Sequence, residues 1–423
     1  MMTYPDSVRF LYSLGNEIKT AKLGLERMRT LVEALSDPQR ACRFVHVAGT
    51  NGKGSTAAMI EAGLRASGLR TGLYTSPHLA EPTERIRIDG VPVSAEEFAG
   101  AFHRVHETAE RLLGEGRLDC HPTYFETVTA MAFLLFRDAR VETAVLEVGL
   151  GGRLDATNVV TPVLAVITPV DFDHEAYLGK SLESIATEKA GILKPGVPAV
   201  FARQREQVQR TLECAAASVG APFETTARWQ VERLELDPYG SRFQAAGPRL
   251  VRVDCPLAGE HQVTNALTAV AALDALGVST EAIETGMRET RWAGRLECVA
   301  HAPEVFLDGA HNPAGARALA EYIGRFWRQR RVRMIYGAMR DKAVAEMAGI
   351  LFPLAWEVIL TAPDQPRAVR PEVIGEMMDH PRLRVAARLK DALALLAEAE
   401  PEDVVFITGT LYLVGEARAL LVE

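Results

Sequence analysis

The stretch Gly49-Thr50-Asn51-Gly52-Lys53-Gly54-Ser55-Thr56 follows the apolar run 45–48 and opens directly into the helical pattern that continues through Ala57, Ala58, Met59 and Ile60. Glycines let a backbone curl until several N–H groups point inward at a phosphate. The start of the helix adds partial positive charge, and Lys53 adds a full one. Strand, turn, lysine and helix in this order predict a cradle for a nucleoside triphosphate, with ATP as the working assumption. Gly54 separates Lys53 from Ser55, a departure from the commonest phosphate-loop spacing, in which the hydroxyl residue follows the lysine at once. A glycine-rich turn carrying a lysine by chance is the competing reading.

Three more residues could complete a metal-nucleotide site. Glu147 closes the apolar run 143–148 and precedes Leu150-Gly151-Gly152-Arg153-Leu154-Asp155. Mg²⁺ takes a few hard oxygen ligands together with phosphate oxygens and water, and Glu147 offers one. His174 ends Asp171-Phe172-Asp173-His174, just after the run 163–168, and Ser76 follows 71–74 within Thr75-Ser76-Pro77-His78-Leu79. Taken singly, a strand-end glutamate is an ordinary solvated residue, a lone histidine a packed one, and Ser-Pro a turn. Together they fall where ligands gather in a parallel sheet, beyond the carboxyl ends of the strands.

The elements that must position these residues alternate along the chain. β-branched apolar runs at 44–48, 71–74, 143–148, 163–168 and 198–202 are separated by helical patterns, which predicts α/β architecture with a mainly parallel sheet. From about 222 to 255 the pattern shortens, with a turn at Asp237-Pro238-Tyr239-Gly240, and predicts a small antiparallel addition. A helix then begins near His261-Gln262 and runs to Leu276. A second series has strand candidates at 305–307, 332–336, 357–361 and 403–408. We expect two domains, 1–293 and 294–423, meeting near Gly294.

Composition narrows the function classes. The chain has 423 residues, 48% of them apolar, which is beyond what a single core usually serves. Its 47 basic and 55 acidic side chains give a net charge of −8, which argues against nucleic-acid or anionic-membrane binding through bulk charge. Cys42, Cys120, Cys214, Cys255 and Cys298 are scattered without CxxC spacing, so neither a disulfide framework nor a structural zinc site is expected. Asp6, Arg9 and Glu17 stand where a signal peptide would be apolar. The uncharged run 156–170 contains Pro162 and Pro169 and is shorter than the about 20 residues a membrane span requires. A soluble, cytoplasmic protein is expected.

These motifs, in this order, resemble the folylpolyglutamate synthase/dihydrofolate synthase family of the Mur ligase superfamily. The resemblance rests on LGLERM (23–28), GTNGKGST (49–56), TSPHL (75–79), TYFE (123–126), LEVGLGGRLDATN (146–158) and EKAGILKPG (188–196). It continues through GRLE (294–297), DGAHNP (308–313) and TGTLYLVGE (408–416). It implies a P-loop NTPase-like central domain, with a mainly parallel sheet and a small antiparallel subsheet, followed by a Rossmann-like C-terminal domain. It also implies an ATP- and Mg²⁺-dependent ligase, with two ions expected, that adds L-glutamate to dihydropteroate or to reduced folates through an acyl phosphate. By the same resemblance Thr50, Asn51, Gly52, Lys53, Gly54, Ser55 and Thr56 would hold the nucleotide phosphates, and Ser76, Glu147 and His174 the magnesium. Lys189 would be a carbamate, formed from CO₂ and the amine. Lys22, Leu23, Gly24, Thr123, Tyr124, Phe125, Glu126, Leu154, Asp155 and Ala156 would lie on the pterin side. Asn265, Arg295 and Asp308 would contact the nucleotide, with Arg295 at a hinge and His311 in the inter-domain cleft. The family acts as a monomer on small molecules, with neither nucleic acid nor membrane as a partner. Lys22 stands where bifunctional relatives carry Asp, which bears on the dihydropteroate reaction, and Thr410 replaces a serine. The competing assignments are another Mur-type amino-acid ligase and a P-loop nucleotide switch that performs no ligation.

Overall fold

Apolar runs long enough to be buried on both faces pair in parallel, and the first of them builds the larger sheet. In the computed structural model, which describes residues 2–14 and 24–422, this sheet has eight strands. Their spatial order is Val91–Pro92, Ile86–Ile88, Thr71–Tyr74, Thr143–Glu147, Arg43–Ala48, Leu164–Ile167, Ala199–Phe201 and Phe223–Thr225. The first two are antiparallel edge strands and the other six run parallel.

Alternation along the strand Arg43–Ala48 sorts its side chains between two faces. Val45 and Val47 join the core made with the helices Lys53–Ala66, Glu260–Ala275 and Thr280–Glu289. Phe44 joins the opposite core, under the helices Tyr4–Ser13, Glu26–Ala34, Ala95–Gly114 and Tyr124–Asp138. A three-stranded antiparallel sheet, Gln230–Asp237, Gly240–Ala246 and Leu250–Cys255, lies against the first of these cores through Phe243, Val251 and Val253.

A second sheet orders Glu297–His301, Glu304–Asp308, Val404–Thr408, Val332–Tyr336, Glu357–Leu360 and Leu383–Val385, parallel except for its first strand. Helices Pro313–Phe326 and Val344–Leu351 cover one face, and Leu389–Leu395 and Leu411–Leu421 the other.

The long apolar strands stand within one or two residues of where the sequence puts them. The short ones at 86–88, 91–92, 297–301 and 383–385 were not anticipated. The segment from 222 also divides differently from expectation. Phe223–Thr225 pairs in parallel with Ala199–Phe201 and extends the main sheet, so the antiparallel addition starts only at Gln230. Phe223 stacks on Phe201 at 5.3 Å, which joins that strand to the main sheet edge. All five cysteines are free thiols, and no described helix is long and apolar enough to cross a membrane.

Candidate active site

The carboxyl ends of the two parallel sheets border one cleft of about 410 Å³. Parallel register sets its floor. Val47 lies beside Glu147, so the turn after Arg43–Ala48 and the acid at the end of Thr143–Glu147 emerge together. In the second sheet Asp308 lies beside Thr408.

The phosphate loop is held open by glycine. Gly49 has φ +151°, and a Cβ there would sit 1.8 Å from Thr168 Oγ1. Gly52 has φ +79° and caps the helix Lys53–Ala66 without a side chain, leaving the first N–H groups to a ligand. Lys53 Nζ donates to the Thr50 carbonyl at 3.1 Å, and the Thr50 hydroxyl donates to the Asp171 carbonyl at 2.9 Å. These bonds curl the loop back onto the turn after Leu164–Ile167.

Glu147 is buried, and among the described residues its hydrogen bond comes from the Ser76 N–H at 3.1 Å. Burial pushes its carboxyl above the ordinary range, opposed by the charges of Lys53 and Arg295 and by that N–H. His174 has φ +53° and is pushed down to about 4 by burial, so at neutral pH it presents an uncharged ring. Lys189, 4% exposed, donates from Nζ to the Gly49 carbonyl at 2.7 Å. Burial, reinforced by Lys53, lowers its amine to about 7.

Thr50, Asn51, Gly52, Lys53, Gly54, Ser55, Ser76, Glu147, His174, Lys189, Asn265, Arg295, Asp308 and His311 all line this cleft. Asn265 Nδ2 donates to Gln262 Oε1 at 2.9 Å, and Gln262 Nε2 reaches Ser55 Oγ at 3.3 Å. Asp308 accepts the N–H groups of Leu296 and Ala310, which ties the turn around Arg295 to the end of the strand Glu304–Asp308. Arg295 donates to the Gly309 carbonyl at 3.4 Å, and His311 Nδ1 donates to the same carbonyl at 2.8 Å.

The pterin-side candidates separate from this group. Thr123 and Glu126 form a capping box for the helix Tyr124–Asp138, and Arg27 Nε donates to Glu126 Oε2 at 2.8 Å. The Tyr124 ring stacks on Tyr12 and carries the Arg85 guanidinium 4.8 Å from its centroid. Phe125 packs beneath Gly149, the glycine that starts the loop after Glu147. Asp155 spends both oxygens on shape: one takes the N–H groups of Gly149 and Leu150, the other the N–H and hydroxyl of Thr157. Leu154 is half-buried, Ala156 buried, and Gly24 lies half-buried ahead of the helix Glu26–Ala34. None of these lines the cleft, although the loop that Asp155 and Phe125 support does. Lys22 and Leu23 fall outside the described residues.

A bridge across the cleft was missed from sequence. Asn312 Nδ2 donates to Asn51 Oδ1 at 3.0 Å and to Asp173 Oδ2 at 3.3 Å, while its Oδ1 caps the helix Pro313–Phe326. Lys342 Nζ sits 2.8 Å from Asp173 Oδ1. Burial works against the Asp173 carboxylate, yet Lys342, His174 and His311 hold it well below the ordinary range. Asn312 carried a readable signal, an N-cap residue directly before Pro313. Lys342, in a turn after Val332–Tyr336, carried none.

Comparison with known proteins supplies the relationship. The description "Mur ligase middle domain" matches residues 47–273, and "Mur ligase, glutamate ligase domain" matches 294–411. The folylpolyglutamate synthase of Lacticaseibacillus casei is 35% identical over 99% of both chains. The dihydrofolate synthase/folylpolyglutamate synthase of Mycobacterium tuberculosis is 36% identical over 94% of this chain and 89% of its own. The crystal structure of Mycobacterium tuberculosis folylpolyglutamate synthase with ADP and AMPPCP superposes with a TM-score of 0.92, at 34% identity and 99% coverage of each chain. That of E. coli FolC with DHPP and ADP gives 0.88, at 31% identity over 99% of this chain and 97% of the other. At this identity and coverage, the chain belongs to the folylpolyglutamate synthase/dihydrofolate synthase family of Mur ligases.

Proposed function

We propose that this chain joins L-glutamate to dihydropteroate, to reduced folates, or to both, at the expense of ATP. The observation that carries this reading is the convergence of Lys53, Glu147, Lys189, Arg295 and Asp308 on one cleft between the carboxyl ends of two sheets. A carboxylate does not condense with an amine at neutral pH, because its oxygen is a poor leaving group. The substrate carboxylate oxygen therefore attacks the γ-phosphorus of ATP, and ADP departs with the electrons of the broken P–O bond. The glutamate amine attacks the resulting acyl phosphate at carbon, expels inorganic phosphate and gives up a proton.

The residues of this chain act by position and charge. Lys53 and the open N-terminus of the helix Lys53–Ala66 hold the β- and γ-phosphates and offset the charge that develops on transfer. Arg295 brings a second cation from the turn joining the two halves, where residues 294–423 swing as a unit to shut the cleft and keep water from the acyl phosphate. Mg²⁺ fits the donors present: Glu147 is a buried carboxylate with a single protein hydrogen bond among the described residues, and Ser76 and the uncharged His174 line the same cleft. Bound there with a second ion, it would neutralise phosphate charge. Lys189, with an amine lowered to about 7, is free-base often enough to add CO₂ and become a carbamate, losing one proton. The enzyme works as a cytoplasmic monomer.

ADP release with ATP, Mg²⁺ and L-glutamate tests the proposal, with dihydropteroate and tetrahydrofolate offered in separate reactions. Release with both marks a bifunctional enzyme, and release with tetrahydrofolate alone a folylpolyglutamate synthase. Release with neither refutes the assignment.

A further inference from the structure

Outside the cleft, three side chains converge that the ligase reaction does not use. His106 and Glu110 lie four residues apart on one face of the helix Ala95–Gly114, and His121 reaches them from the loop that follows. Glu110 Oε1 is 3.6 Å from His121 Nε2 and 3.9 Å from His106 Nδ1, and all three ligand atoms lie within 4.8 Å of one another. Two ligands on a tetrahedral zinc stand roughly 3.3 Å apart, given Zn–N and Zn–O bonds of about 2.0–2.2 Å. The two contacts to Glu110 therefore need only tenths of an ångström of adjustment.

Hydrogen bonding decides what the cluster lacks. His121 Nδ1 lies 2.9 Å from the Pro122 carbonyl oxygen, which can only accept, so Nδ1 carries the proton. In the neutral ring Nε2 is then a bare lone pair aimed at a carboxylate oxygen. Both His121 Nε2 and His106 Nδ1 are buried without a hydrogen-bond partner among the described residues. His121 Nε2 and Glu110 Oε1, two acceptors 3.6 Å apart, repel each other unless a cation sits between them, and His106 Nδ1 is the third nitrogen within reach of that point. Donation of the other ring N–H to a backbone carbonyl is also the arrangement that orients a histidine toward a metal. Packing fixes the second ring, because His106 stacks on Phe102 and meets the edge of Phe10 at 4.6 Å. Burial lowers His106 below the ordinary histidine range, with Glu110 pulling the other way, so a proton is a poor occupant there.

We propose that His106 Nδ1, Glu110 Oε1 and His121 Nε2 form a binding site for a zinc-like divalent transition metal, with at least one position left to water. Two imidazoles and a carboxylate suit Zn²⁺, and Co²⁺ in its place, far better than Mg²⁺. An ion there ties the loop before Thr123 to the helix Ala95–Gly114, and so clamps the start of the helix Tyr124–Asp138.

The test uses the full chain, stripped with chelator and titrated with Zn²⁺ against a chromophoric competitor, then with Co²⁺ read by its visible ligand-field bands. Wild type should take up one equivalent and show four- or five-coordinate cobalt. His106→Ala and His121→Ala should each weaken that equivalent by at least ~100-fold, since loss of outer partners alone typically costs 10–100-fold. His103→Ala, one turn away and paired with Glu107, should leave it unchanged. Glu110 is 55% exposed, so Glu110→Gln leaves packing intact and should weaken binding by about tenfold or more even where a histidine variant fails to fold. Zinc should raise the melting temperature of wild type and not of Glu110→Gln. Absence of the equivalent from wild type, or its survival in Glu110→Gln and both histidine variants, would overturn the site.

Discussion

Replacing Lys189 with methionine should abolish turnover and, with the wild-type amine unmodified, make the protein more stable at neutral pH. Lys189 is 4% exposed, and among the described residues its amine donates to the Gly49 carbonyl alone, at 2.7 Å. Burial, then Lys53, takes it from 10.5 to about 7, while Asp173 and Asp155 pull the other way. At about 1.4 kcal/mol per pH unit, that distance corresponds to on the order of 5 kcal/mol against folding when both states are protonated. Lys189→Met removes this cost and loses one hydrogen bond of about 1 kcal/mol, so a net gain on the order of 2–4 kcal/mol is expected at pH 6.5. The folded amine sheds its proton near 7 and the unfolded amine near 10.5. Between these values the unfolded state binds the extra proton, so wild-type stability rises with pH there, is complete above 10.5, and is lost as pH falls to 7. The variant lacks that rise. Urea unfolding of both proteins from pH 6.5 to 10 in CO₂-free buffer reads the difference. Parallel curves, or a less stable variant at pH 6.5, would refute the burial argument. In CO₂-equilibrated buffer wild-type activity should recover, and a rate indifferent to CO₂ would refute the carbamate.

Three further outcomes follow from the same geometry. Lys53→Ala should lower kcat by about 10²–10³, the scale of removing one electrostatic donor to a transferring group, and wild-type turnover would refute the cradle. In Gly52→Ala a left-handed alanine costs about 1–2 kcal/mol, and its Cβ would stand 2.1 Å from Asn265 Oδ1, so melting temperature should fall and KM for ATP should rise; an unchanged KM would refute the assigned approach. Lys342→Met leaves Asp173 without its 2.8 Å partner and should cost about 1–3 kcal/mol. Because the Asp173 carboxyl is held low in the folded state, its contribution is present above the ordinary carboxylate range and lost on acidification. The acid-unfolding midpoint of Lys342→Met should therefore move to higher pH, and an unmoved midpoint would refute the pairing.

What the sequence made legible follows from burial. Strands buried on both faces, such as Leu164–Ile167 and Val404–Thr408, read as apolar runs, and both lie where they were expected. Glu297–His301 and Leu383–Val385 are half-exposed edge strands, carry Glu, His and Arg, and owe their conformation to neighbouring strands rather than to any pattern of their own. The cleft residues were legible because glycines, a lysine and acids stood at strand ends. Whether Thr123 to Glu126 touch a ligand or brace the fold was not legible. A capping box and a binding motif are spelled with the same residues, and here Glu126 is engaged by the Thr123 N–H and Arg27. Lys342 was invisible because its partner Asp173 is distant in sequence, and an exposed-looking lysine in a turn announces nothing.

The division of labour within the cleft follows from which residues sit on strands and which on turns. Glu147 and Asp308 are the last residues of interior strands, each paired in parallel on one side, with Val47 and Thr408. Lys53 and Arg295 follow glycines with positive φ, Gly52 and Gly294, where the backbone can adjust. The acids are therefore on strand ends, and the cations that would meet phosphate follow turns. Asn312 and Lys342 join the halves through Asn51 and Asp173, directly beside the phosphate loop. The bridge thus lies beside the phosphate loop and not at Thr123 or Glu126. A substitution in this bridge should disturb ATP-dependent closure, and one at Thr123 or Glu126 should disturb stability first.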